Sequence, residues 1–421
     1  MAIHVVLPGD NLWEISNQTG IPIQTIITLN GLNTTALIPG LALYLPDTTQ
    51  QLRPYRIKAG DQIWQVAKQF QTSSSAILAA NPGINPNSLT IGQILNIPTP
   101  LKLQINTLGF IIPPTDGSIP AILDSIAGQL TFLSIVAYSF TDQGFAYNEI
   151  NDAALVARSK QLNIIPLLMI RNFAAGKFSP ELVGRVLGNP TFRQNLVASI
   201  ANLTKQRGFS GVSIDFEFIP PVSRQDFIGF LNDLKKELGN LILQVNVHAK
   251  TADIPANPII GAYDYGAIGR AADIVAVMTI DYGYPGGPPD PIAPITWVEE
   301  VIQYSLTQIP PQKIQMAMAL YGYDKVVGSG TTTGLSVLAA QNQAISKGTT
   351  IVFDLPAQSP WYNYWQAGSE HITWFEDIRS YFEKYRLIDM YQLAGTTFWQ
   401  ISLPAPQNWF YLKDSVSIIK R

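Results

Sequence analysis

From residue 103 to the C-terminus, short apolar runs alternate with longer stretches in which apolar positions recur every three or four residues. The runs read as buried strands and the longer stretches as amphipathic helices, which is the signature of βα units around a parallel sheet. Eight strands are expected, at 105–112, 132–139, 164–170, 211–218, 241–247, 274–280, 314–320 and 396–402. Eight such units over residues 103–421 fit a (β/α)8 TIM barrel, an α/β fold. An open doubly wound sheet is the alternative, and the absence of a Gly-rich phosphate loop after the first strand counts against its nucleotide-binding form. Residues 323–386 break the rhythm with strand-like pieces at 350–353 and 371–375 and a helix at 376–385. They read as a small α+β insertion between strands seven and eight.

The first hundred residues contain one pattern written twice. Val6-Leu7-Pro8-Gly9-Asp10-Asn11-Leu12-Trp13 matches Ile57-Lys58-Ala59-Gly60-Asp61-Gln62-Ile63-Trp64. Each copy reads as strand, Gly-Asp turn, two helices and a second strand, giving two βααβ modules at 1–48 and 53–99. Glycine supplies the turn and Asp can cap the helix that follows. Trp13 and Ile15, like Trp64 and Val66, are expected in the small cores. The Pro-bearing stretches 51–54 and 97–100 read as short linkers.

Composition narrows the possible partners. A net charge of -3 offers no basic excess for phosphates, so nucleic acid is not an expected partner. Only 14% of residues are charged, and abundant Asn, Gln, Ser and Thr suit a surface that meets neutral, hydroxyl-rich ligands. There is no Cys, which excludes thiolate chemistry and disulfides. His4, His248 and His371 are scattered without metal-ligand spacing, and neither a metal nor a cofactor is expected. No basic segment followed by an apolar one opens the sequence, so no signal peptide is expected. No apolar run is long enough to span a membrane. A monomer is expected.

Chemistry concentrates in Phe209-Ser210-Gly211-Val212-Ser213-Ile214-Asp215-Phe216-Glu217-Phe218. On a strand, Ser213, Asp215 and Glu217 share one face. In a barrel that face is the interior, and the two acids lie at the carboxyl end, where such barrels place their active sites. Two carboxyls in a partly desolvated space do not both ionise cheaply, so one holds a proton near neutral pH and a general acid becomes available. Asn172 and Tyr138 end expected strands and could meet sugar hydroxyls, and Ser213, on the face of the two acids, is a further expected substrate contact.

Both regions resemble known families. The repeats resemble the LysM module, which implies binding of N-acetylglucosamine-containing polymers in a groove between two loops. Carried over, the grooves comprise Gly9, Asp10, Asn11, Leu12, Ile38 and Pro39, and Gly60, Asp61, Gln62, Ile63, Thr90 and Ile91. The segment at 210–217 resembles the D-G-x-D-x-D-x-E strand of the family-18 glycoside hydrolases, with Gly211, Asp215 and Glu217 matching and Ser210 and Ser213 in place of two Asp. The likeness extends through Tyr263-Asp264-Tyr265, Met278-Thr279-Ile280-Asp281-Tyr282, Leu320-Tyr321-Gly322-Tyr323-Asp324 and Gly395-Thr396-Thr397-Phe398-Trp399.

With two LysM units, the whole resembles the spore cortex-lytic N-acetylglucosaminidases of spore-forming bacilli. The resemblance implies that Glu217 is general acid and base, that Asp215 orients the substrate's acetamido group, and that the acetamido oxygen is the nucleophile. It further implies an aromatic floor at Trp399 and acetamido contacts at Asp281 and Tyr282. Ile280 stands where the family has a tyrosine, so Tyr282 or Tyr284 is expected to supply that hydroxyl. The implied substrate is peptidoglycan, in spore cortex or cell wall, with chitin cleavage or a weakly catalytic lectin as the alternatives.

Overall fold

The computed structural model describes residues 2–46, 51–148 and 150–420. The module and domain limits at 1, 48 and 421 lie outside the described residues. Eight parallel strands close on themselves in the order Leu103–Ile111, Phe132–Phe140, Ile165–Arg171, Gly211–Asp215, Ile242–His248, Ile274–Met278, Ile314–Ala319 and Gly395–Trp399, the last pairing with the first. This is the expected barrel. Its largest buried cluster fills the layer between strands and helices, where Phe216, Phe227 and Phe230 pack face to face. Burying each such ring is worth roughly 1.5–3 kcal/mol. The fourth strand starts at Gly211, where only glycine fits, because a Cβ there would stand 2.4 Å from the carbonyl oxygen of Ile242 on the fifth.

That strand is shorter than the sequence suggested. It ends at Asp215, and Glu217 belongs to the loop that follows, where Phe218 adopts a left-handed φ of 54°. The insertion is a five-stranded antiparallel sheet running from Tyr321–Val326 to Ser369–Trp374, with a helix at Val337–Lys347. The helix expected at 376–385 runs over Ile378–Tyr391 and buries Tyr381, Tyr385 and Ile388 in the barrel's own core. It belongs with the barrel layer rather than the insertion.

The proline-bearing stretches expected as linkers are strands. Gln51–Arg56 pairs antiparallel with Ile94–Thr99, and the sheet has only these two strands, so each has an open edge that tolerates Pro54 and Pro98. Trp13 and Trp64 are not core residues either. They are 65% and 58% exposed, because Leu12 and Ile15, and Ile63 and Val66, occupy the inward helix face.

The two modules meet the barrel differently. The first shares a hydrophobic core with the insertion, Ile26, Ile38 and Leu41 packing with Ala344, Ile351 and Phe375. Buried Asn30 accepts from the side-chain amide of Gln407 at 2.8 Å, and the hydroxyl of Tyr44 donates to Asp414. At Gly40 a Cβ would collide with the carbonyl oxygen of Ile351 at 1.7 Å. The second module keeps a separate core and is tied by Arg53, which grips both oxygens of Asp389, and by Arg56 on Tyr391.

Candidate active site

Glu217 is held by its backbone. Its N–H donates to Oδ1 of Asn172 at 2.8 Å, and its carbonyl accepts from Nδ2 of the same residue at 2.8 Å. One residue earlier, the carbonyl of Phe216 accepts from the hydroxyl of Tyr263 at 2.6 Å. Clamped on both sides, the loop presents the Glu217 carboxyl, 19% exposed, at the barrel mouth. Asn172 is fully buried, so its role is to place Glu217 rather than to touch sugar as the sequence suggested.

Asp215 lies at the strand end with 5% exposure. Burial, and then the nearby Glu217 carboxylate, push its carboxyl well above the usual range, opposed by a hydrogen bond from Nδ2 of Asn246 at 3.1 Å and by Arg171. Ser213 is two residues deeper, roughly 6–7 Å down the strand. It is fully buried, and its hydroxyl has no hydrogen-bond partner among the described residues. That depth removes it from the substrate contacts expected of it.

Asp281 follows the sixth strand in a left-handed conformation, φ 58°. It accepts hydrogen bonds from the hydroxyls of Tyr321 at 2.6 Å and Tyr323 at 2.9 Å. Burial raises its carboxyl, the two phenols oppose that, and the Glu217 charge adds to it, so Asp281 feels the same site. Sequence reasoning did not single out these two tyrosines. The signal was their alternate spacing around Gly322, which puts both on one face of the insertion's first strand. Ile280 packs in a small apolar cluster with Tyr321, Tyr323 and Trp399.

Trp399 ends the eighth strand, its ring 5.5 Å from that of Phe110, and bridges the barrel interior to the Ile280 cluster. Tyr282 and Tyr284 stand on the rim, 46% and 55% exposed, the first packed on Trp297 and the second over Gly287. The hydroxyls on Asp281 therefore come from Tyr321 and Tyr323. Tyr138 is elsewhere. It is fully buried in the outer layer against Phe209, with its hydroxyl on Asp152, because the strand is irregular between Ile135 and Tyr138 and the alternation that keeps Phe132 and Val136 inside the barrel does not carry on to Tyr138.

In the modules, the loop residues expected to contact glycan divide by burial. Leu12, Ile38 and Ile63 are core. Asp10 binds His4 and the Leu7 N–H, Asp61 binds Tyr55 and the Lys58 N–H, and Asn11 caps a helix through the Glu14 N–H. Gly9 and Gly60 hold positive φ values in exposed turns, and Gln62 reaches Trp64. Thr90 and Ile91 are both exposed, Ile91 to 68%. Its counterpart Pro39 has its carbonyl taken by the Ile351 N–H at 3.0 Å.

A parallel barrel with two acids at the carboxyl end of its fourth strand, an aromatic ring at the end of its eighth and an α+β insertion defines a class of glycan-cleaving enzymes. The chain belongs to the glycosyl hydrolases family 18, whose pattern matches residues 116–403, and it carries two LysM domains, matched at 4–46 and 55–98. It is a glycosidase. It is 35% identical to YdhD of Bacillus subtilis over 98% of both chains, and 30% identical to the cortical fragment-lytic enzyme of Bacillus anthracis over 100% of this chain and 99% of that one. Among solved structures, the Bacillus cereus spore cortex-lytic enzyme SleL superposes with a TM-score of 0.86 at 30% identity, covering 100% of this chain and 98% of its own. A chitinase from Chromobacterium violaceum matches 74% of this chain and 98% of its own, at 25% identity and TM-score 0.68.

Proposed function

We propose that this protein hydrolyses the glycan strands of spore cortex peptidoglycan on the N-acetylglucosamine side, with retention, using the substrate's own acetamido oxygen as nucleophile. The observation that carries the reading is the state of the carboxyls around Glu217. Asp215 is buried so that its neutral form is favoured, and Asp281 is occupied by two tyrosine hydroxyls. Neither is presented as an exposed, ionised nucleophile of the kind a two-carboxylate retaining enzyme uses.

In the proposed cycle the Asp215–Glu217 pair carries one proton between them. It rests on the buried Asp215 and passes to Glu217 when the sugar's N–H arrives. Glu217 then protonates the leaving oxygen. Asp215, now ionised, accepts the acetamido N–H and stabilises the positive charge that grows on that nitrogen as the carbonyl oxygen attacks the anomeric carbon. Glu217 takes the proton back from the incoming water. Trp399 forms the floor, and Tyr282 and Tyr284 form the rim against which the chain lies. Full-length likeness to cortex-lytic relatives, modules included, favours cortex over chitin. The chitinase resemblance stops at the barrel.

Incubation with purified cortex fragments and with chitin oligomers, followed by mass spectrometry of new reducing ends, tests this. Cortex products ending in N-acetylglucosamine are expected. Cleavage of chitin alone, or release of N-acetylmuramic ends, contradicts it.

For the modules, the reading assigns glycan capture chiefly to the second, through Gly60, Asp61, Gln62, Thr90 and Ile91, with Ile63 beneath them in the core. The matching loop of the first is seated on the insertion. Ile91→Asp is expected to lower retention of the protein on insoluble cortex glycan by roughly fivefold or more, the scale of losing a large apolar contact. Pro39→Asp is expected to leave retention near wild type. Equal losses in a co-sedimentation assay refute the division.

A further inference from the structure

His248 ends the fifth barrel strand, directly beside the fourth. Its Nε2 lies 3.4 Å from Oε2 of Glu217, and each side chain is 19% exposed. That nitrogen is out of contact with solvent and makes no hydrogen bond to any group among the described residues, and the Glu217 carboxyl stands within ion-pair distance of it. The ring is held between Phe218 and Tyr263, with centroids 5.4 and 5.5 Å away, and its backbone carbonyl accepts from the hydroxyl of Tyr265 at 2.6 Å. A fixed imidazole next to the acid has no structural task that a plain aromatic ring could not perform.

We propose that His248 is a positioning residue that sets the proton affinity of Glu217, by holding an Nε2–H against its carboxylate. The inference rests on Glu217 being the proton donor of the reaction proposed above. A donor or a cation within this distance favours the ionised form of a carboxyl. The effect is to make Glu217 a readier acid towards the leaving oxygen and to steady the carboxylate it leaves behind.

The other groups around the pair come from several elements. Asp215 and Arg171 stand on the fourth and third strands, Asp281 follows the sixth, and the Tyr263 phenol belongs to the loop after the fifth. Tyr321 and Tyr323 of the insertion act through Asp281. Lys250, two residues after His248, turns its ammonium to Asp253 and to the carbonyl of Tyr263. It therefore belongs to the loop scaffold rather than to the Glu217 carboxyl.

The test is the pH dependence of kcat on cortex fragments for the full-length protein and two variants, because in the substrate complex the proton of the pair stands on Glu217. His248→Phe keeps an aromatic ring between Phe218 and Tyr263 and removes the donor. Its alkaline limb is expected to move up by roughly one pH unit, the lower end of what an opposite charge or donor at this range achieves. His248→Gln keeps an N–H but no charge, and its limb is expected between those of Phe and wild type. Thermal midpoints show that the variants are folded, and either variant alone decides the direction. A limb that stays in place, moves down, or puts Gln outside that interval overturns the proposal. If wild type itself releases no reducing ends, it is the hydrolase reading that has failed instead.

Discussion

Glu217→Gln is expected to slow release of reducing ends from cortex fragments by roughly 10²- to 10⁴-fold, the range a single general acid–base group supplies. The amide matches the carboxyl in shape, and the backbone on which it stands is fixed by Asn172 and by the Tyr263 hydroxyl on Phe216. Folding and substrate retention should therefore survive. The amide can neither deliver a proton to the leaving oxygen nor take one from water, so both halves of the reaction suffer. Initial rates beside thermal midpoints make the comparison. A variant that keeps more than about a tenth of the activity shows that the proton comes from another group.

Much of this was legible in the sequence because it rests on periodicity. Eight apolar runs gave the barrel, and the repeat at the N-terminus gave two modules with their turns in place. The site was legible where a side chain follows strand alternation, as at Asp215, and less so where the backbone departs from it. Glu217 sits past the strand end because Phe218 turns left-handed and Asn172, 45 residues away, closes on the loop. Tyr138 is in the outer layer because an irregularity between Ile135 and Tyr138 breaks the alternation that keeps Phe132 and Val136 inside the barrel, and a period-2 count along the sequence does not reveal such a break.

Partners supplied by distant segments left no local trace. The phenols of Tyr321 and Tyr323 reach Asp281 across 40 residues or more, and Gly40 meets Ile351 across some 300. Trp13 and Trp64 misled for a different reason. Large aromatic residues are usually buried, but in eight-residue or shorter helices with Leu12, Ile15, Ile63 and Val66 already facing inward there is no inward position left for them. The proline-bearing strands 51–56 and 94–99 were hidden by the general rule against Pro in sheets, which two edge strands evade.

The largest effect is expected from the substrate rather than the protein. With Asp215 engaged at Asn246 and Asp281 bound by two phenols, neither carboxyl is free to attack the anomeric carbon, and the proposed reaction gives that part to the acetamido oxygen. A nucleophile already attached to the reacting ring has a very high effective concentration. Removing it should cost on the order of 10³-fold or more in rate. Hydrolysis by the wild-type protein of matched cortex fragments, fully N-acetylated or with the N-acetyl groups of their glucosamine residues removed, measures that contribution directly. Cleavage confined to the acetylated fragments is the predicted result, and comparable rates on the two would contradict substrate-assisted hydrolysis at this site.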